Sequence, residues 1–289
     1  MTPAIRSYGE LLGAAMAEHG PLCVGIDPHA ALLAQWGLAD TVDGLERFAM
    51  TCVEAFGGEV AAVKPQSAFF ERFGSRGVAV LECTLEGLRD AGTLSLLDVK
   101  RGDIGTTMAG YAEAYLSDAS PLRADAITVS PFLGYQSLRP ALDLAAARGR
   151  GVFVLTLTSN PEGASVQHAA LNGRTVAASV VDGVREDNTA ARVASSLGSV
   201  GMVVGATVGS AVVDLGLDLA AASGPILAPG IGAQGGTALA LRSTFGTAVG
   251  QVLGSSSREV LTAGPDPARL REAALRLSAQ LADGVAGSG

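Results

Sequence analysis

Two lysines, Lys64 and Lys100, stand against eighteen arginines in the 289-residue chain. A guanidinium stays protonated under ordinary conditions, whereas an ammonium is a compact charge whose pKa moves on desolvation, so lysine can deliver a proton. A sequence that places positive charge with arginine almost everywhere marks its two lysines for chemistry. Each lies at the polar end of a short apolar run: Val60-Ala61-Ala62-Val63 leads into Lys64, and Leu94-Ser95-Leu96-Leu97 leads into Asp98-Val99-Lys100-Arg101-Gly102-Asp103. Side chains two apart on a strand share a face, so Asp98 and Lys100 are expected to project together from a strand end. Gly102 then lets the chain turn and present Asp103.

The elements that must position these groups are eight short, nearly continuous apolar runs, at 22–26, 60–63, 94–99, 126–129, 152–157, 202–207, 225–228 and 247–253. Strands buried on both faces read this way, and the intervening lengths hold a helix plus loops. Helical patterns cover 41–56, 78–90, 107–117, 137–148, 175–197, 210–222 and 266–282. The alternation predicts a single-domain (β/α)8 TIM barrel over residues 1–289; an open doubly wound sheet is the alternative, and eight strands favour closure. An extra amphipathic segment at 5–18 is placed to close the barrel bottom. The stretch 158–173 reads as the longest connection without structure of its own, and 284–289 as a frayed tail.

A net charge of -8 argues against nucleic-acid or anionic-membrane partners. No apolar run approaches the length of a membrane helix, and the N-terminus lacks the order of a secretory signal, which predicts a soluble, unexported protein. Cys23, Cys52 and Cys83 are odd in number and widely spaced, as suits a reducing cytoplasm. His19, His29 and His168 lack Cys or carboxylate neighbours at ligand spacing, so no metal site is expected and each reads as a loop or surface histidine. Trp36 reads as a packing residue.

In a parallel barrel the reactive groups sit at the C-terminal strand ends. Those ends carry Asp27, Lys64, the Asp98/Lys100/Asp103 group, and Ser159 with Asn160. After the seventh and eighth strands come the glycine-rich turn Ala228-Pro229-Gly230-Ile231-Gly232-Ala233-Gln234-Gly235-Gly236 and the serine-rich turn Gly254-Ser255-Ser256-Ser257-Arg258. Such turns offer backbone N–H groups to a phosphate at its usual place in this architecture, and Arg258 would add a bidentate clamp. The pattern is that of a small phosphorylated substrate whose reactive part lies beneath two lysines and several carboxylates.

Asp98-x-Lys100-x-x-Asp103 resembles the signature of the orotidine 5′-phosphate decarboxylase family. The resemblance extends, in order, through Gly25-Ile26-Asp27-Pro28-His29, Val63-Lys64-Pro65-Gln66 with Ala68-Phe69-Phe70-Glu71, Thr158-Ser159-Asn160-Pro161, the turn from Ala228 to Gly236, and Ser256-Ser257-Arg258. It covers essentially the whole chain and is nearest to the longer bacterial form. It implies cofactor-independent conversion of orotidine 5′-phosphate to UMP and CO2, with Lys64, Asp98, Lys100 and Asp103 as a charged tetrad and Lys100 as proton donor. It further implies Asp27 at the ribose, Ser159 at the pyrimidine edge, and Gln234, Arg258 and backbone N–H groups near Gly232 at the phosphate. In a homodimer, Asp103 and Thr107 would reach the neighbouring site. Gly105-Thr106 and the three serines before Arg258 depart from shorter members. A metal-dependent sugar-phosphate relative and a silent phosphoribosyl-binding protein are the competing readings.

Overall fold

A computed structural model describes residues 5–232 and 236–286. Eight parallel strands close into a barrel: β1 (Leu22–Ile26), β2 (Ala62–Pro65), β3 (Leu94–Arg101), β4 (Ala126–Val129), β5 (Gly151–Leu157), β8 (Val200–Val204), β9 (Ile226–Pro229) and β10 (Val252–Ser256). A small antiparallel hairpin, β6 (Ala170–Leu171) with β7 (Arg174–Thr175), stands outside it. The barrel order is β1-β2-β3-β4-β5-β8-β9-β10, with β10 closing onto β1. Strand β3 therefore stands across the barrel from β9, and the residues at their two ends face one another over its mouth.

The fold has two apolar cores. The larger lies between the sheet and its surrounding helices. The smaller fills the barrel interior with Cys23, Ala62, Leu96, Ala126, Phe153 and Leu253, and Tyr8 and Leu12 of the N-terminal helix Tyr8–His19 join it from below. That helix begins with a capping box in which Ser7 and Glu10 satisfy one another's backbone N–H groups. Its Tyr8 is fully buried and meets Phe153 edge to face, with ring centroids 6.0 Å apart. A Cβ on Gly151 would lie 2.4 Å from the Tyr8 ring, so glycine at the start of β5 makes room for the plug.

Several expected elements differ, for local reasons. The long helix expected over 175–197 is broken into Val176–Asp187 and Thr189–Val193 at Asn188, whose side-chain amide donates to the carbonyls of Val200 and Ala222 and so ties the break to the barrel. The helix expected over 210–222 shortens to Ala211–Asp214 and a 3-10 turn Ala220–Ala222, with Gly216 at φ +60° between them. Residues 247–251, expected as strand, belong to the 3-10 turn Gly246–Gln251, which holds two glycines, and β10 starts only at Val252. The connection after β5 is ordered: it holds Pro161–Gly163, the helical turn Ala164–Gln167 and the β6–β7 hairpin. Trp36 packs as expected, stacked on Phe48 at 4.0 Å and donating its indole N–H to the Leu261 carbonyl.

Candidate active site

The strand period carries the interior core up into a polar layer. Two residues beyond Cys23, Ala62, Leu96, Ala126, Phe153 and Leu253 stand Gly25, Lys64, Asp98, Thr128, Leu155 and Ser255. All of these except Gly25 line a cavity of about 420 Å³ at the C-terminal end of the barrel. Gly25 leaves space for the residues above it, because a Cβ there would fall 1.9 Å from Ser257 Oγ.

Asp98 organises the charged side of the cavity. Its Oδ2 lies 3.1 Å from Lys64 Nζ and its Oδ1 lies 2.7 Å from Lys100 Nζ. The Thr128 hydroxyl also donates to Oδ1, at 2.7 Å, and Lys64 reaches Gln66 Oε1 at 3.4 Å. Burial alone would raise the Asp98 pKa, but the two ammonium groups and the two hydrogen bonds outweigh it and hold the carboxyl down at about 2. For Lys64, burial disfavours the charge, yet Asp98 and then Asp27 more than compensate and keep its pKa above the ordinary lysine value. Both members of the buried pair are therefore ionised at neutral pH. Beneath them burial pushes the Cys23 thiol up to about 12, so it remains neutral.

Lys100 reaches this position through a distortion of β3. Between Leu97 and Arg101 the register shifts: Leu97 pairs with Ile127 and Arg101 with Val129, so β3 spends four steps where β4 spends two. Within the bulge Lys100 has φ +44°, a left-handed conformation that costs a non-glycine residue roughly 1–3 kcal/mol. Asp98 and Lys100 do share the cavity, but a bulge rather than plain alternation puts them there. Outside the barrel Arg101 anchors the bulge by pairing with Glu71 of the helix Ser67–Glu71, which follows β2.

The other expected site residues divide. Asp27, Ser159 and Arg258 line the same cavity. Asp27 Oδ1 is buried with no hydrogen-bond partner among the described residues, a waiting acceptor for a hydroxyl. Ser159 lies in a loop braced by Gln167, which accepts the Thr158 N–H and donates to its hydroxyl. Gly230, Ile231 and the serines 255–257 complete the rim on the β9–β10 side, across the barrel from β3. The Gly232 N–H donates to the Gly236 carbonyl at 3.0 Å, so it is engaged within its own turn. Gln234 lies outside the described residues. Asp103 caps the N–H of Ile104 rather than joining the Lys64–Asp98–Lys100 array, and Thr107 is exposed in the first turn of the helix Gly105–Leu116.

A model of the orotidine 5′-phosphate decarboxylase / HUMPS family matches residues 20–273. The chain belongs to this family. An orotidine 5′-phosphate decarboxylase of Salinispora arenicola is 61% identical over 285 residues, covering 98% of this chain and all of the relative. A Streptomyces avermitilis crystal structure assigned as an orotidine 5′-phosphate decarboxylase superposes with a TM-score of 0.93 at 55% identity, covering 98% of each chain. A UMP synthase of Leishmania donovani aligns at 32% identity and a TM-score of 0.77, covering 98% of this chain and 57% of that longer one.

Sequence reasoning passed over several residues that line the decarboxylase-family cavity. Thr128 is the penultimate residue of β4, the one strand before β5 whose end the sequence pattern leaves without a polar group, although it stands two residues beyond Ala126 just as Lys64 stands beyond Ala62. His29, read as a loop histidine, caps the helix Ala30–Gln35 through Nδ1 and also lines the cavity. Its place directly after Asp27-Pro28 was the available signal. Leu155, Val203 and Leu227 form apolar lining, and apolar residues in a strand give no hint of which end of the barrel they serve.

Proposed function

We propose that the protein decarboxylates orotidine 5′-phosphate to UMP and CO2 without a cofactor. The observation that carries this reading is the Lys64–Asp98–Lys100 array, with both oxygens of one buried carboxylate held by ammonium groups at 3.1 and 2.7 Å, in a chain of this family. When the C6–carboxylate bond breaks, CO2 leaves and the electron pair stays on C6 in the ring plane, out of conjugation with the carbonyl groups. Fixed positive charge is the available stabiliser, and an ammonium already held against a buried carboxylate supplies it without reorganising. Lys100 then gives a proton to C6, and the neutral amine regains one from solvent; its side chain, 47% exposed, is open to that exchange. Asp98 holds Lys64 and Lys100 in place.

Asp27 accepts from the ribose, Ser159 meets the pyrimidine edge, and Arg258, Gln234 and the turn around Gly232 hold the phosphate. Binding energy at the phosphate, remote from C6, serves to organise the charged array. Asp103 and Thr107 act across a homodimer interface. That assignment is supported by their position beside exposed apolar side chains on adjoining loops: Ile104 (62% exposed) after β3, and Phe132 (77%) and Leu133 (52%) after β4. The three free cysteines suit a reducing, cytoplasmic setting, and no helix among the described residues is long and apolar enough to cross a membrane.

The test is the loss of ultraviolet absorbance of orotidine 5′-phosphate on adding EDTA-treated protein, beside a Lys100→Ala control. Turnover that survives chelation and disappears in the control supports the reading. Turnover that needs a divalent ion, or that persists in Lys100→Ala, overturns it.

A further inference from the structure

We propose that Thr128 is a positioning residue for this reaction, a single hydroxyl that sets both Asp98 and the backbone of Lys100. The inference rests on the reading above. Thr128 is 1% exposed near the C-terminal end of β4. Its hydroxyl donates to Asp98 Oδ1 at 2.7 Å and accepts the Lys100 backbone N–H at 3.0 Å. A hydroxyl has one donor and two acceptor sites, so both bonds form at once.

Each bond answers a specific problem of the site. The bulge in β3 removes Lys100 from the regular ladder with β4, and its N–H would otherwise lose a partner inside the barrel mouth. Thr128 Oγ1 supplies one and so secures the φ of +44° from which the Lys100 side chain turns back to Asp98. On Oδ1 the hydroxyl and the Lys100 ammonium, both at 2.7 Å, fix the rotation of the Asp98 carboxylate, which leaves Oδ2 directed at Lys64. A side chain with no hydroxyl at this position frees both the carboxylate and the bulge. Thr128 need not touch the reacting atoms. Its part is to keep the proton donor and its counter-ion within a fraction of an ångström of the productive arrangement.

Thr128→Val keeps the shape of the side chain and removes both bonds, while Thr128→Ser keeps the hydroxyl. Removing a hydrogen bond to a charged group predicts a fall in kcat of about 10- to 100-fold for the valine variant. The Kd for UMP is expected to stay within about threefold, because no substrate contact of Thr128 is invoked. Exchange of deuterium from D2O into C6 of UMP, which runs the proton transfer in reverse, should slow by a similar factor. Thr128→Ser should recover most of kcat. If Thr128→Val fails to fold, Thr128→Ala removes the same bonds without added bulk and is read in the same way. A wild-type kcat in the valine or alanine variant overturns the inference, as does a loss shared equally by kcat and UMP binding that serine does not restore. An inactive wild-type protein is a different result: it overturns the functional reading, and this inference with it.

Discussion

Lys64 Nζ and Asp98 Oδ2 lie 3.1 Å apart with each side chain 7% exposed, a buried ion pair between the neighbouring strands β2 and β3. Removing two charges from water costs several kcal/mol each, and the cost is offset only while both partners remain. The site is therefore built on an interaction that contributes little net stability when whole and is expensive to break by halves.

Asp98→Asn is accordingly expected to lower stability by about 3–5 kcal/mol, because it leaves the Lys64 ammonium buried without its counter-charge. Urea unfolding followed by the fluorescence of Trp36, the single tryptophan, measures it. An unchanged midpoint would mean that the pair is not coupled as its geometry indicates.

The same pair predicts a pH dependence. The Asp98 pKa falls from 3.8 to about 2 on folding, so its contribution is fully present above the unfolded value and is lost as pH falls through about 2. At 1.36 kcal/mol per unit this amounts to about 2 kcal/mol. The Lys64 pKa is raised, so its contribution is fully present below the unfolded lysine value and is lost only in strong alkali, as pH rises through the folded one. The pair's contribution to stability should therefore be flat from about pH 5 to pH 9 and fall in acid between about pH 4 and pH 2. The difference in unfolding free energy between wild type and Asp98→Asn, measured across that range, isolates it.

Arg258 is exposed at the rim beside the serine turn, with no salt bridge among the described residues. Arg258→Ala should lower kcat/KM for the phosphorylated substrate by roughly 100-fold, the loss of one or two charge-assisted bonds of ~1.5–3 kcal/mol each. Turnover of the corresponding nucleoside, which lacks the phosphate, should be unchanged. Equal losses on the two substrates would remove Arg258 from the phosphate.

Tyr8 offers a test of the lower end of the barrel. Its hydroxyl is buried without a partner among the described residues while its ring packs on Phe153 and Gly151. Tyr8→Phe keeps the packing and removes the unsatisfied group, so it should raise stability by about 1 kcal/mol. Tyr8→Ala empties the plug and should lower it by about 3–5 kcal/mol. Thermal unfolding of the two variants gives both signs.

The barrel was legible because each strand is buried on both faces and so reads as an uninterrupted apolar run; β1 and β4 carry the expected bounds. Lys64, Asp98 and Lys100 were legible because an ionisable residue closing such a run has no role in the core. What could not be read is where tertiary contacts override local pattern. Asn188 ends a helix by bonding to two distant carbonyls, and of the run at 247–253 only Val252 and Leu253 are strand, where they pair with Ile226 and Leu227 of β9. The left-handed Lys100 was hidden too, since local sequence favours no positive φ at a lysine and the Thr128 that secures it lies 28 residues away.

Strands β3 and β9 stand on opposite sides of an eight-strand ring, and the separation of their ends follows from strand number and tilt rather than from any loop. The fold thus acts as a fixed gauge. A ligand gripped at the β9–β10 rim presents to Lys100 whichever atom lies one barrel width away, so molecules shorter or longer than that span are mis-set by the architecture itself. Loops at the mouth can drift in sequence and alter affinity or speed, but a change in the preferred ligand length would require the barrel to change its girth.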